Sequence, residues 1–205
     1  MAKNNLIAEL CQNHNGSVSL LKEMIIAAKE SGIKYLKIQD IKSEELTHRI
    51  RFDKGLIKNR KKLVIKRPFR DELLRLKKLD LPEKFIDIFV EECLRSKIYP
   101  IITPFTYSSL ERIKNKKFKF LKIASYDCSA LSFIKETNTL NKKLIVSTGA
   151  TKLNEIKETV KFLKKKKQLA ALLHCVSIYP TPMEKCNLNK IKFLKKLFGD
   201  IEIGW

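Results

Sequence analysis

A chain of 205 residues can bury one sizeable core, and its 44% hydrophobic and 8% aromatic content excludes a disordered protein. The longest apolar runs fall well short of a membrane span, and five scattered cysteines (Cys11, Cys93, Cys128, Cys175, Cys186) without a CxxC pair exclude a disulfide framework or zinc finger. The net charge of +21 raises the question of nucleic acid, but the lysines are spread over nearly every predicted helix and no aromatic residues are interleaved with them, so a solvated basic surface is expected instead.

In chain order, Leu6 to Leu10 is an apolar run carrying Glu9 and ending on Asn13-His14-Asn15-Gly16. No signal peptide precedes it, and with free thiols the expected location is the cytoplasm. Leu20, Leu21, Met24, Ala27 and Ala28 stripe a helix over 18–31, which Gly32 terminates. Tyr35 to Gln39 is a second strand, ending Lys37-Ile38-Gln39. Residues 40–81 break the rhythm with a long basic excursion, the pattern of a substrate-facing loop or lid, and a helix resumes near Arg70. Phe85, Ile86, Phe89, Val90, Cys93 and Leu94 stripe the next helix.

Four more apolar runs follow, each ending on a polar cluster: Pro100 to Thr103, Phe118 to Ile123, Lys143 to Val146 and Leu169 to Leu173. Helices are expected near 108–115, 131–138, 153–165 and 188–197, with Thr151 as N-cap of the third, and Ile201 to Trp205 reads as a seventh strand. The Lys164–Lys167 block falls where cations meet the carboxyl end of a helix. Short apolar runs alternating with amphipathic segments predict βα units on a parallel sheet. No dinucleotide glycine fingerprint follows the first strand, and polar groups recur at six successive strand ends. An α/β chain forming one domain over 1–205, an incomplete (β/α)8 TIM-type barrel of about six and a half units, is therefore favoured over an open doubly wound sheet.

Ligands of such folds bind at the carboxyl ends of the strands. There, Lys37 and Lys122 beside Thr103, Ser125, Ser147 and Ser177 make a donor-rich bowl suited to a phosphate or carboxylate. Each hydroxyl alone is an ordinary loop residue, and Ser147-Thr148-Gly149 alone is a weak phosphate cradle. Glu9 is costly in an apolar strand unless paired. His14 and His174 read as hydrogen-bonded structural histidines rather than metal ligands.

Together, Ile7-Ala8-Glu9-Leu10 with Asn13-His14-Asn15-Gly16, Lys37-Ile38-Gln39, Thr103-Pro104-Phe105, Lys122-Ile123-Ala124-Ser125, Ser147-Thr148-Gly149 and the run from Leu173 to Pro182 strongly resemble the N-acetylneuraminate (sialic acid) synthase family, which includes legionaminate and pseudaminate synthases. The resemblance spans the chain in order and is loosest over 40–81. It implies condensation of phosphoenolpyruvate with an N-acetylated hexose of the N-acetylmannosamine type. The enol carbon attacks an open-chain aldehyde polarised by a divalent metal (Mn or Mg), water adds, and phosphate leaves. Carried over by position, Lys37, Thr103, Lys122, Ser125, Ser147 and Ser177 hold phosphoenolpyruvate, with Ser177 standing where some members have Asn. Gln39 and Tyr179 border the sugar. Glu9 and Asp127 are the catalytic acids, Asp127 replacing a Glu. The family's two metal-ligating histidines match no residue here, so the metal set is expected to have no ligands in this chain. The antifreeze-like domain that supports the family's homodimer has no counterpart either, and impaired activity is the expectation. Alternatives are another phosphoenolpyruvate-condensing synthase, which the run from Tyr179 to Pro182 disfavours, and a non-catalytic basic module for anions or nucleic acid.

Overall fold

A computed structural model describes residues 5–46, 48, 50–58, 61–64, 66–80, 82–178 and 180–205, with the side chains of 51 and 61–64 left aside. β1 (Ile7–Cys11) leads through α1 (Val18–Glu30) to β2 (Tyr35–Asp40). The excursion follows, as α2 (Ile50–Lys54), the antiparallel hairpin β3 (Leu56–Lys58) and β4 (Lys61–Val64), and α3 (Phe69–Lys77). Then come α4 (Glu83–Arg95), β5 (Tyr99–Pro104), α5 (Tyr107–Ile113), β6 (Phe120–Ile123) and α6 (Leu131–Thr139). The chain finishes with β7 (Lys143–Ser147), α7 (Leu153–Lys165), β8 (Leu169–Leu173), α8 (Asn189–Leu197) and β9 (Glu202–Gly204). Apart from the hairpin, the strands form one parallel sheet in the order β1-β2-β5-β6-β7-β8-β9, each joined to the next through at least one helix.

The register divides the sheet into two faces. Leu36, Ile38, Ile102, Leu121, Ile123, Leu144, Val146 and Leu172 point outward into one core cluster with the helices. In α1 that cluster takes Leu21, Ile25 and Ala28, spaced i, i+4, i+7. The predicted stripe is therefore corrected: Ala27 is exposed, and Ile25 takes its place. Ser17 caps the helix by accepting from Leu20 N at 3.2 Å, and Gly32 closes it at φ +76°, a conformation that favours glycine. Phe85, Ile86, Phe89, Val90 and Cys93 of α4 bury as one stripe, while Leu94 lies outside it.

The inward face carries the alternate residues. Ile7, Tyr35, Phe120, Ile145, Ala171 and Gly204 line one cavity of about 330 Å³, so residues of β1 and β9, the two ends of the sheet, face the same space. The sheet is thus curled as an incomplete barrel. On that face, one pleat nearer the carboxyl ends, lie Glu9, Lys37, Lys122 and Ser147.

The 40–81 excursion is more structured than a loop or lid. Ser43 at its start donates from its hydroxyl to Asp80 Oδ2 (2.5 Å) and from its backbone N–H to Asp80 Oδ1 (2.8 Å), which ties both ends together at a neck. The N-cap of α7 also differs from expectation. Lys152 holds that position, with its backbone N–H donating to Glu155 Oε2 at 2.7 Å. Thr151 instead donates its hydroxyl to Ser125 O (3.2 Å) and Gly149 O (3.0 Å), stitching the ends of β6 and β7 together.

Candidate active site

Two lysines dominate the carboxyl-end mouth of the half-barrel. Lys37 is 3% exposed; its ammonium group meets Glu9 Oε2 at 2.6 Å and donates to Thr103 Oγ1 at 2.8 Å. Lys122 donates to Ser147 Oγ at 2.5 Å. Burial lowers the pKa of Lys37 from the usual lysine value, against the opposing pull of Glu9. Burial also lowers that of Lys122, and the positive charge of Lys37 lowers it further, so the two ammonium groups feel each other inside the bowl. Neither lies on the outer helical surface, because both strand registers turn them inward.

The serines gather around Gly149. Its backbone N–H donates to Ser125 Oγ at 3.2 Å. A Cβ added there would stand 2.6 Å from Ser177 Oγ, 2.8 Å from Ser125 Oγ and 3.0 Å from Cys175 O. A side chain there would displace both hydroxyls and press on Cys175 O, which explains a glycine after Ser147-Thr148 better than turn geometry does, since its φ is not positive. Lys37 with Thr103 and Lys122 with Ser147 thus form two hydrogen-bonded pairs at the strand ends, with Ser125 and Ser177 beside the loop that follows Ser147. Glu9 also accepts from Cys11 N at 2.8 Å, so its carboxylate is held toward Lys37.

Beside the bowl opens a second cavity of about 450 Å³. Gln39 and Asp127 line it from the strand ends, and the excursion contributes Phe52, Arg67, Glu72 and Arg75. Tyr179 lies outside the described residues. The arginines and Glu72 are contributors that sequence reading leaves among solvated charges; the only pointer to them is the position of the excursion after the end of β2.

No described residues make a metal site. Among them no group of three or more His, Cys, Asp or Glu side chains could hold an ion. His14 is fully buried, with Nδ1 accepting from Gly16 N at 3.1 Å and its ring against Phe85. His174 is also buried, with Nε2 2.8 Å from Cys186 O. His48 pairs with Asp53 at 2.6 Å. The donor set therefore does not fit the divalent ion that the family resemblance implies. All five cysteines are free thiols, and among the described residues no helix is long and apolar enough to cross a membrane.

Comparison with known proteins shows the family of the chain. Over its whole length the chain is 32% identical to N,N'-diacetyllegionaminic acid synthase of Campylobacter jejuni, and it covers 60% of that protein. It is 28% identical to N-acetylneuraminate-9-phosphate synthase of Drosophila melanogaster, with 98% of this chain and 52% of that protein aligned. The crystal structure of a sialic acid synthetase from Leptospira borgpetersenii superposes with a TM-score of 0.82 at 29% identity, covering 98% of this chain and 64% of that one. The chain thus spans between half and two thirds of the length of these relatives. The NeuB family model matches residues 24–205, which takes in every site strand except β1, and on that match the chain belongs to the NeuB family.

Proposed function

We propose that the bowl binds phosphoenolpyruvate, and that the chamber beside it takes the open-chain form of an N-acetylated hexose of the N-acetylmannosamine type, for condensation to a nonulosonic acid. The observation that carries this reading is the pair of inward lysines, each bonded to a hydroxyl on a neighbouring strand. Both ammonium groups are disfavoured by burial, and Lys122 also by repulsion. A ligand with two anionic ends, a phosphate and a carboxylate, offsets both penalties.

Lys37 with Thr103, and Lys122 with Ser125, Ser147 and Ser177, hold the two ends. In the reaction a bond forms between C3 of phosphoenolpyruvate and the aldehyde carbon, water adds at C2, and the C2–O bond to phosphate breaks. A proton must reach the aldehyde oxygen as it becomes a hydroxyl, and another must leave the attacking water. Glu9, ion-paired to Lys37, and Asp127, on the chamber wall, are the carboxylates proposed to move them. Gln39 and Tyr179 border the sugar.

The test is calorimetric titration of the chain with phosphoenolpyruvate. Lys122→Ala is expected to weaken binding by about tenfold or more, the scale of one lost charge-assisted contact. Replacing Lys165 and Lys166 with glutamine is expected to leave it unchanged. If both variants bind alike, the bowl is not the site.

A further inference from the structure

We propose that the hairpin of the excursion docks the protein on an anionic lipid bilayer, with its lysines on the headgroups and Leu56 and Ile57 entering the boundary beneath them. This goes beyond the proposed reaction and stands without it, because the hairpin lies outside the bowl and lends the chamber only its base.

Composition singles the segment out. Residues 54–70 hold eight lysines and arginines and no carboxylate, and no aromatic residue precedes Phe69. β3 and β4 pair only with each other, apart from the main sheet. Successive side chains of a strand point to opposite faces. Leu56 is 49% exposed and Ile57 beside it 69%, so the protein covers neither face of β3 there. A two-stranded ribbon with no covered face is marginal in water, and here it leaves aliphatic side chains wet among exposed cations, Lys54, Lys58 and Lys66. Its base is nevertheless fixed. Arg67 N donates to Phe52 O at 2.7 Å, and Asp53 accepts from Phe69 N at 2.9 Å and meets His48 at 2.6 Å. Asp53 is thus engaged at the base, and no further acid follows in sequence until Asp71.

The partner must therefore be anionic and must also offer somewhere apolar. A bilayer containing anionic lipid does both. Each lysine near its surface gains from the negative potential, and aliphatic side chains leave water at the headgroup boundary. Nucleic acid meets only the first need. Its phosphates pair with lysine, but single strands stack their bases on aromatic rings, and the ribbon has none. Phe52, Asp53, Arg67 and Phe69 at the base of the ribbon also line the chamber, so docking sets the chamber rim beside the lipid surface.

The 205-residue chain is co-sedimented with vesicles of equal parts phosphatidylglycerol and phosphatidylcholine, and with vesicles of phosphatidylcholine alone. Binding to the anionic vesicles is expected to be about tenfold tighter or better, since each engaged lysine supplies roughly fivefold. A net charge of +21 attracts the chain to any anionic surface, so the variants decide. Leu56→Ser with Ile57→Ser leaves the charge unchanged and is expected to weaken binding about tenfold. Lys58→Gln with Lys66→Gln is expected to weaken it by about as much. Lys165→Gln with Lys166→Gln removes the same charge from α7 and is expected to change binding less than about twofold, because salt screens charges remote from the contact. Cooperative urea unfolding like that of the unmodified chain checks that each variant is folded. Phosphoenolpyruvate titration separates the two proposals: its failure removes the proposed function and leaves the ribbon's role standing. Absence of binding to the anionic vesicles overturns that role. So does a serine variant that binds like the unmodified chain, or equal losses from the two lysine pairs, which would make the attraction a property of the whole basic surface. Duplex DNA bound more tightly than the vesicles, and weakened by the Lys58 and Lys66 changes but not by the serines, overturns the lipid assignment in favour of nucleic acid.

Discussion

A buried lysine can serve an anion only while it keeps its proton, and the two in the bowl are held below the ordinary value of 10.5. Between those depressed values and 10.5 the unfolded chain binds more protons than the folded one, so stability attributable to Lys37 and Lys122 rises with pH across that alkaline window. Anion affinity runs the opposite way. Each ammonium that deprotonates within the window removes a charge from the bowl, so phosphoenolpyruvate binding is expected to weaken on the alkaline side before the ordinary lysine range is reached. Titrations at neutral and alkaline pH, alongside urea unfolding at the same pH values, separate the two slopes. Affinity that holds constant up to pH 10.5 would mean that neither lysine touches the ligand. Gly149→Ala provides a second measurement at this scale. The hydroxyls of Ser125 and Ser177 can swing away from a new methyl group, but Cys175 O, on the backbone, cannot. The variant is expected to fold with a loss of about 1–2 kcal/mol and to lose most anion binding, because the serines it displaces are part of the proposed site.

The elements around the bowl are locked by polar contacts at their ends. Arg112 of α5 pairs with Asp40 at the end of β2, and Ser109 donates to Asp40 O at 3.2 Å. Asp40 is fully buried, and burial raises its pKa despite the guanidinium. Arg112→Ala strands that carboxylate, for an expected cost of about 3 kcal/mol in chemical denaturation, and adding Asp40→Asn should recover a good part of it. If the double variant is no more stable than the single, the arginine acts through packing instead. The neck made by Ser43 and Asp80 separates functions: Asp80→Ala should loosen the excursion and weaken sugar binding while phosphoenolpyruvate binding stays unchanged. Much of this framework is legible in the sequence. α7 and β8 fall on their predicted residues, because a strong stripe and a pure apolar run admit one periodicity each. Lys37 and Lys122 share the inward face because both sit at inward positions of the strand alternation, which the sequence shows. The hairpin is not legible: β3 and β4 have three and four residues, too short and too basic to show alternation. Glu72 and Arg75 look like any solvated i, i+3 pair until α3 is folded over the strand ends. Thr151 looks like a cap because its type and position suit one, yet its hydroxyl finds Ser125 O first.

At the scale of the whole molecule, the curl of the sheet leaves β1 and β9 at its two ends, with Leu6 and Trp205 exposed to 69% and 64%. Edges of this kind recruit other strands, so the 205-residue chain is expected to associate as its concentration rises, visible as a growing mass by light scattering. A monomer at every concentration would argue that these edges are protected. Turnover is a separate matter. Carbon–carbon bond formation needs the aldehyde polarised as well as the enol held, and the two requirements fall on different parts of the site. Holding the charged groups of the enol is the part proposed for the lysines and serines of the bowl. Polarisation by a divalent ion needs several strong ligands converging on an open position, and among the described residues none converge. Glu9 cannot stand in without releasing Lys37, whose burial would then leave an unpaired charge. The chain alone is therefore expected to bind phosphoenolpyruvate yet release phosphate at background rate when supplied with N-acetylmannosamine and manganese. A coupled phosphate assay reads this directly. Sustained release from the purified chain, abolished by Lys122→Ala, would mean that the bowl and chamber suffice for chemistry and that polarisation comes from protein donors already in the site.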